Sequence, residues 1–240
     1  MCLMGRNNWF EFKQFRVEQH KSAMKVGTDG VLLGAWAPVK DALRILDIGT
    51  GTGLIALMLA QRSEARIDAV EIDKPASGEA KFNFEQSVWK ERLTLINADF
   101  HHFSGSADFS YDLIVSNPPY FVNSLKSSDS ASSMARHNDM LTFDQLIVGA
   151  RKLLNSSGRL CVILPFSCFQ EFRESARIAG FYLRHFTAII PRSGKLPKRM
   201  LMEFTLEACY PIENVLTISG LDGMYTEDYK VLTAPYYPAF

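Results

Sequence analysis

An α/β fold, with a mostly parallel sheet and helices on both of its faces, is predicted by three observations. Short apolar runs alternate with helix-like runs through the middle of the chain. A glycine cluster, Asp47-Ile48-Gly49-Thr50-Gly51-Thr52-Gly53, sits between one apolar run and the helix-like run after it. The apolar runs lack the strict alternation of half-exposed strands, so both faces of the sheet are covered.

The elements follow in order. Trp9–Val17 alternates aromatic and polar residues, as a half-exposed strand does, and Val31–Trp36 is an apolar helix with Thr28 or Asp29 as its N-cap. Leu43–Asp47 is a strand that stops at the glycines, and Gly53–Gln61 is a helix. Arg66–Glu71, Leu93–Asn97 and Tyr111–Ser116 are strands, with a helix over Pro75–Trp89 whose proline suits a first turn. Phe143–Leu154 is an amphipathic helix, Gly158–Pro165 a buried strand and Phe169–Ala179 a further helix. Strands near Tyr182–Ile190 and Arg199–Ala208 complete the pattern. The serine-rich stretch Asn123–Ser133 reads as a surface loop. The last 30 residues, rich in Tyr and Pro, carry no clear period.

Composition sets bounds. With 240 residues, 47% hydrophobic and 22% charged, the chain suits one globular domain rather than a disordered segment. Lys+Arg and Asp+Glu both number 26, which weakens the case for a protein coated in positive charge but leaves room for a local basic patch. The four cysteines, Cys2, Cys161, Cys168 and Cys209, form no CxxC, which argues against a disulfide framework or a structural zinc site. His101-His102 lacks further ligands and reads as an exposed loop pair, so no metal is expected. No signal peptide and no membrane-spanning run are read, and a reducing, cytoplasmic setting is expected.

The glycine cluster supplies a tight turn and a close backbone approach for a ligand. A dinucleotide site favours G-x-G-x-x-G, whereas the spacing here is G-x-G-x-G with Asp47 in front. A carboxylate there repels a pyrophosphate and suits a cationic or hydrogen-bond-donating ligand. S-adenosylmethionine (SAM), with an ammonium, a sulfonium and no phosphate, fits better than NAD. Glu71 ends the next strand and can accept from two ribose hydroxyls. Asp99 follows the third strand and can accept from an adenine amino group. The plain alternative for each acid is a solvated strand end; three in succession line the sheet edge where ligands bind.

Asn117-Pro118-Pro119-Tyr120 follows the fourth strand. Prolines stiffen the backbone, so the Asn117 side-chain oxygen and the Pro118 carbonyl become two fixed acceptors. A planar NH2 group carries two donors to match, and acceptors aimed at them favour its attacking, rehybridised form. Tyr120 offers a face on which a base can stack.

In this order, DIGTGTG, Glu71, Asn97-Ala98-Asp99 and NPPY resemble a class I SAM-dependent amino-methyltransferase, which implies a Rossmann-like sheet of seven strands. NPPY serves adenine N6 and protein glutamine N5 alike. The flanking segments Phe12–Phe15, Met24–Trp36, Tyr120–Ser124 and Lys198–Phe204 are similar to the bacterial tRNA (adenine-N6)-methyltransferases, which act on the adenine immediately 3′ of the anticodon, position 37, in valine tRNA. The resemblance implies that Asp47, Gly49, Gly51, Gly53, Glu71 and Asp99 contact SAM, and that Lys25, Gly27, Thr28 and Asp29 lie near its methionine end. It implies that Asn117, Pro118 and Tyr120 hold the target adenine. It further implies one methyltransferase domain, with a core over 42–209 and extensions over 1–41 and 210–240.

The segment Tyr182–Met200 holds Arg184, Arg192, Lys195, Lys198 and Arg199 and no acid, so it can track phosphates; Lys195, Lys198 and Arg199 are the candidate RNA-binding residues. Arg136-His137 is a further candidate. Ribosomal RNA adenine, protein glutamine and DNA adenine are competing substrates, and a non-catalytic RNA-binding factor on the same fold is the competing class.

Overall fold

The computed structural model describes residues 7–22, 24–106, 109–119 and 141–238. Two short strands, β1 (Trp9–Glu11) and β2 (Arg16–Glu18), form an antiparallel hairpin. The single strand expected over Trp9–Val17 is therefore broken. The Phe12 N–H donates to the Phe15 carbonyl at 2.9 Å, and their rings stack 4.7 Å apart, so the aromatics that suggested a strand close its turn.

The core is one sheet built from β3 (Arg44–Ile48), β4 (Arg66–Glu71), β5 (Leu93–Asn97), β6 (Tyr111–Ser116), β7 (Leu154–Pro165), β8 (Tyr182–Arg192), β9 (Arg199–Thr205) and β10 (Ile212–Ser219). Their spatial order is β10-β8-β9-β7-β6-β3-β4-β5, and only β9 runs antiparallel to its neighbours. The sheet thus has eight strands, one more than the expected seven. The addition is β10, which pairs parallel with β8 and comes from the C-terminal stretch.

Seven helices cover the sheet among the described residues: α1 (Thr28–Trp36), α2 (Leu54–Arg62), α3 (Lys74–Gln86), α4 (Phe100–Ser106), α5 (Phe143–Leu153), α6 (Phe169–Ile178) and α7 (Glu227–Thr233). Alternate residues of each strand face opposite sides. Ile45, Ile67 and Ile163 join one core with α1, α2 and Phe84 of α3, whereas Leu46, Ile48 and Val162 join a second core with α5 and α6. Helix α1 starts at Thr28 with Gly27 as its N-cap and no side-chain cap, so neither Thr28 nor Asp29 takes that role. His101 and His102 lie on α4 rather than in a loop.

From β3 the chain steps outward to β4 and β5, then returns to lay β6 on the other side of β3. The carboxyl ends of β3 and β6 therefore flank the point where the winding reverses, and a crevice opens there. The C-terminal segment closes back on the N-terminal hairpin: the Lys13 ammonium donates to the Ala234 carbonyl at 2.7 Å, and the Lys13 N–H to the Tyr236 carbonyl at 2.8 Å. Tyr236 is fully buried, which makes the Tyr/Pro-rich tail part of the core.

Candidate active site

Two cavities meet at that crevice. One, of about 230 Å³, is lined by Gly49, Gly51, Glu71, Asp99, Asn117 and Pro118, among others. The second, of about 270 Å³, is lined by Lys25, Thr28, Asp29, Gly49, Gly51 and Asn117, among others. Neither alone reaches the ~300 Å³ of an ordinary small-molecule site, but joined they do.

The loop between β3 and α2 forms their shared floor. Its Gly49 and Thr50 N–H groups donate to the Val70 carbonyl at 2.9 and 3.2 Å, pinning the turn to β4. Gly49 has φ +68, and a Cβ there meets nothing within 4 Å, so bare backbone faces the cavity. Gly53 differs. It has φ +83, and a Cβ would lie 2.5 Å from the Phe84 ring, so it serves turn and packing and lines neither cavity.

Asp47 is fully buried and also lines neither cavity. Its Oδ2 accepts from Thr50 Oγ1 at 2.6 Å and from the Ala56 N–H at 3.2 Å. It ties the loop to the first turn of α2, a structural task in place of the expected contact with a cationic ligand. Burial raises its pKa from 3.8 to about 7, against the pull of those two hydrogen bonds.

Glu71 ends β4 on the cavity wall. Its Oε2 accepts the Gly51 N–H at 2.8 Å and its Oε1 the Asp73 N–H at 2.9 Å. Each oxygen keeps lone-pair capacity, so two further hydroxyl donors can be met. Asp99 precedes α4 and accepts the His102 N–H at 2.9 Å while facing the same cavity. The Ala98 N–H donates to the Glu71 carbonyl at 3.2 Å, so that donor is spent within the sheet edge.

Asn117 lines both cavities. Its side-chain oxygen is buried and, among the described residues, accepts no hydrogen bond. A buried acceptor without a donor is costly, and at a cavity junction it marks the place of a ligand donor. Pro118 is buried beside it and Pro119 is exposed. Tyr120, Arg136 and His137 lie outside the described residues, as does the serine-rich loop.

On the second cavity Thr28 opens α1. The Lys25 ammonium donates to the Gln19 carbonyl, so this cation is partly committed to holding its own segment. Arg199 Nε lies 2.7 Å from Asp29 Oδ2, and this ion pair ties the start of β9 to the cavity rim. The Arg199 guanidinium, expected to meet phosphate, thus has its Nε engaged with Asp29. Arg184 sits at the far edge of the sheet, 3.5 Å from Glu203. Lys195 and Lys198 are exposed between β8 and β9, on the same carboxyl edge as the site.

Several lining residues carry no signal of their own: Ser22, Phe100 and Leu141. Glu79 and Asn83, buried polar residues of α3, did leave one: they share a helical stripe with Ala76 and Ala80. Among the described residues no helix is long and apolar enough to cross a membrane, and no group of three or more His, Cys, Asp or Glu is placed to hold a metal.

The winding, the glycine loop and the acid-lined edge define a methyltransferase, and a family model described as methyltransferase small domain matches residues 22–167. In architecture the chain is similar to the crystal structure of a protein from Agrobacterium tumefaciens described as an O-methyltransferase: TM-score 0.67, 21% identity, covering 89% of this chain and 98% of that one. It is similar also to a ribosomal protein L11 methylase from Lactobacillus delbrueckii, with TM-score 0.56, 14% identity and 79% and 84% of the two chains covered. Sequence is more specific. A curated tRNA1(Val) (adenine(37)-N6)-methyltransferase of Bacteroides thetaiotaomicron is 48% identical over 96% of this chain and 98% of its own length. The protein of that name from Aeromonas hydrophila is 44% identical over 98% and 99%. The chain belongs to this family of tRNA1(Val) (adenine(37)-N6)-methyltransferases.

Proposed function

We propose that this protein transfers the methyl group of SAM to N6 of adenine 37, immediately 3′ of the anticodon, in valine tRNA. The observation that carries the reading is the buried Asn117 oxygen, which accepts no hydrogen bond among the described residues and lies where the two cavities meet. The cavities suit SAM: bare glycine backbone forms the floor, the wall has carboxylates for hydroxyl and amino donors, and Lys25, the one cation lining them among the described residues, already donates to the Gln19 carbonyl. When bound, SAM supplies an electrophilic methyl group on a sulfonium.

The chain's own residues do the rest. Asn117 Oδ1 and the Pro118 carbonyl accept the two amine hydrogens of the adenine and aim its nitrogen lone pair at the methyl group. As that nitrogen gains positive charge, the same acceptors become stronger partners, so their help is greatest in the transition state; the C–S bond would break to leave a neutral thioether, and the methylated nitrogen would return to neutrality by giving up one proton to water. Tyr120, outside the described residues, is the residue that the family resemblance assigns to stacking on the base. Glu71 receives the ribose hydroxyls and Asp99 the cofactor's adenine amino group, while Lys25 and Thr28 flank the methionine end. Lys195 and Lys198 hold tRNA phosphates along the carboxyl edge. The chain works as one methyltransferase domain in the cytoplasm, where its tRNA is, with 42–209 as the SAM-binding part and 1–41 and 210–240 as extensions packed onto it.

The test is to incubate the protein with isotopically labelled SAM and unmodified valine tRNA, then digest and identify nucleosides by mass spectrometry. Labelled N6-methyladenosine at position 37 is expected. Label on ribosomal RNA or protein glutamine, with tRNA unlabelled, would overturn the substrate. Glu71→Ala is expected to weaken SAM binding at least fivefold, from two missing hydrogen bonds; an unchanged Kd would reject the ribose contact.

A further inference from the structure

Helix α3 borders the first cavity at its start and, further along, holds the segment that supplies Ser22 and Met24 to the same cavity. At its start, Asp73 and Ala76 stand on the wall beside Glu71. One to two turns later, Glu79 and Asn83 are 5% and 2% exposed and spend their polar atoms on backbone from elsewhere. Glu79 Oε1 accepts the Lys21 N–H at 2.9 Å, and Oε2 the Ser22 N–H at 2.8 Å. Asn83 Oδ1 accepts the Glu18 N–H at 2.9 Å, and its Nδ2 donates to the carbonyls of Glu18 and Thr52, both at 2.9 Å. The segment so held leads directly to the opposite wall, where Ser22 and Met24 line the first cavity and Lys25, Gly27 and Thr28 the second. Gln19 Oε1 accepts the Val26 N–H at 2.7 Å, and Ser22 Oγ donates to the Met24 carbonyl at 2.9 Å, so the segment is folded on itself as well.

A buried carboxylate with only backbone donors as partners is a demanding choice, and so is a buried amide whose bonds all go to distant backbone. Both lie on one stripe of one helix, and both grip the wall that faces the helix's own N-terminal turn. We propose that Glu79 and Asn83 are positioning residues for the cofactor. Through α3 they set the separation between the Glu71 wall and the 18–28 wall, and Asn83 also locks the glycine loop through Thr52. This rests on the SAM reading above and adds residues that touch neither cofactor nor tRNA.

The test compares wild type, Glu79→Gln and Asn83→Ala by titration calorimetry with SAM, by steady-state kinetics with valine tRNA, and by trypsin cleavage at Lys21 and Lys25. Glu79→Gln keeps one acceptor but sets an amide NH2 against a backbone N–H, so SAM affinity is expected to fall about tenfold. The KM for tRNA, and kcat at saturating SAM, are expected to stay within about twofold, because the Asn117 acceptors are untouched. Cleavage at Lys21 and Lys25 is expected to speed up, and SAM to protect these sites less than in wild type. Hydrogen exchange on wild type keeps the test independent of how the variants fold: SAM is expected to slow exchange of the Lys21 and Ser22 amides. Unchanged SAM affinity in both variants, equal losses for SAM and tRNA, or amides indifferent to SAM would each overturn the assignment. A wild-type protein that binds no SAM would overturn the cofactor reading beneath it.

Discussion

Asn117 and Asp47 both bury a side-chain oxygen that accepts no hydrogen bond among the described residues, yet they stand in opposite relation to the cavities. Asn117 lines both, so its free acceptor faces incoming donors; Asp47 lines neither and is sealed under the glycine loop. Asn117→Ala is expected to leave the calorimetric Kd for SAM within about twofold while lowering kcat by about a hundredfold or more, as removal of a transition-state partner does. Parallel loss of both would remove Asn117 from the chemistry. Asp47 leads to a prediction about pH. Its folded pKa, raised to about 7 by burial, lies above the 3.8 of an unfolded chain. The folded state therefore binds the proton more tightly. The stability this contributes is full below pH 3.8 and is lost as pH rises through about 7. Asp47→Asn does not titrate. The unfolding free energy of the variant, from denaturant titration, should gain on wild type from about pH 4 to 7 by no more than about 4 kcal/mol and keep that gain above pH 7. A lead independent of pH would mean that Asp47 is ionised throughout.

At the level of elements, the sharpest constraint is the junction of the glycine loop, α2 and α3. Gly53 combines a left-handed backbone with the Phe84 ring 2.5 Å from where a Cβ would sit. Gly53→Ala is expected to cost roughly 2–4 kcal/mol, readable as a lower denaturant midpoint, since strain and overpacking add. Phe84→Leu in the same chain should recover part of it. The central strands were legible in the sequence because each is a run of apolar residues closed by a polar one: 66–71, 93–97 and 111–116 have the expected bounds. The residues lining the cavity at the ends of β4 and β6 were legible for the same reason. Less legible was anything fixed by distant partners. The turn inside Trp9–Val17 depends on Phe12 meeting Phe15 and Tyr237, and β10 depends on an edge of β8 to pair with. Asp47 shows the converse error: its place before the glycines was clear, but the direction of its side chain was set by the pleat of β3, which aims it at α2.

Across the whole molecule the formal charge is zero, so attraction to a polyanion has to be local. The loop carrying Lys195 and Lys198 meets this need on the carboxyl edge, whereas Arg184 and Arg199 are engaged by Glu203 and Asp29. Lys195→Ala with Lys198→Ala is therefore expected to reduce the slope of log affinity against log salt by about 1 to 2, roughly one for each phosphate no longer neutralised. Arg199→Ala is expected to leave that slope unchanged and to raise the KM for SAM by loosening Asp29 at the rim. A slope that tracks Arg199 instead would move the RNA path toward the second cavity.

The closure of the tail on the hairpin has a consequence for biosynthesis. Lys13 and Ala234, 221 positions apart, are joined by a hydrogen bond, and Gln61 reaches the Pro235 carbonyl at 2.9 Å. During synthesis the hairpin has no partner until residues 234–237 are made, because the Ala234 and Tyr236 carbonyls and the Tyr237 ring are what it packs against. A chain truncated before residue 234 is expected to keep the strands from β3 to β9 and to bind SAM more weakly, since Ser22 and Met24, which follow the hairpin, line the first cavity; SAM affinity equal to that of the longer chain would show these tail contacts to be dispensable.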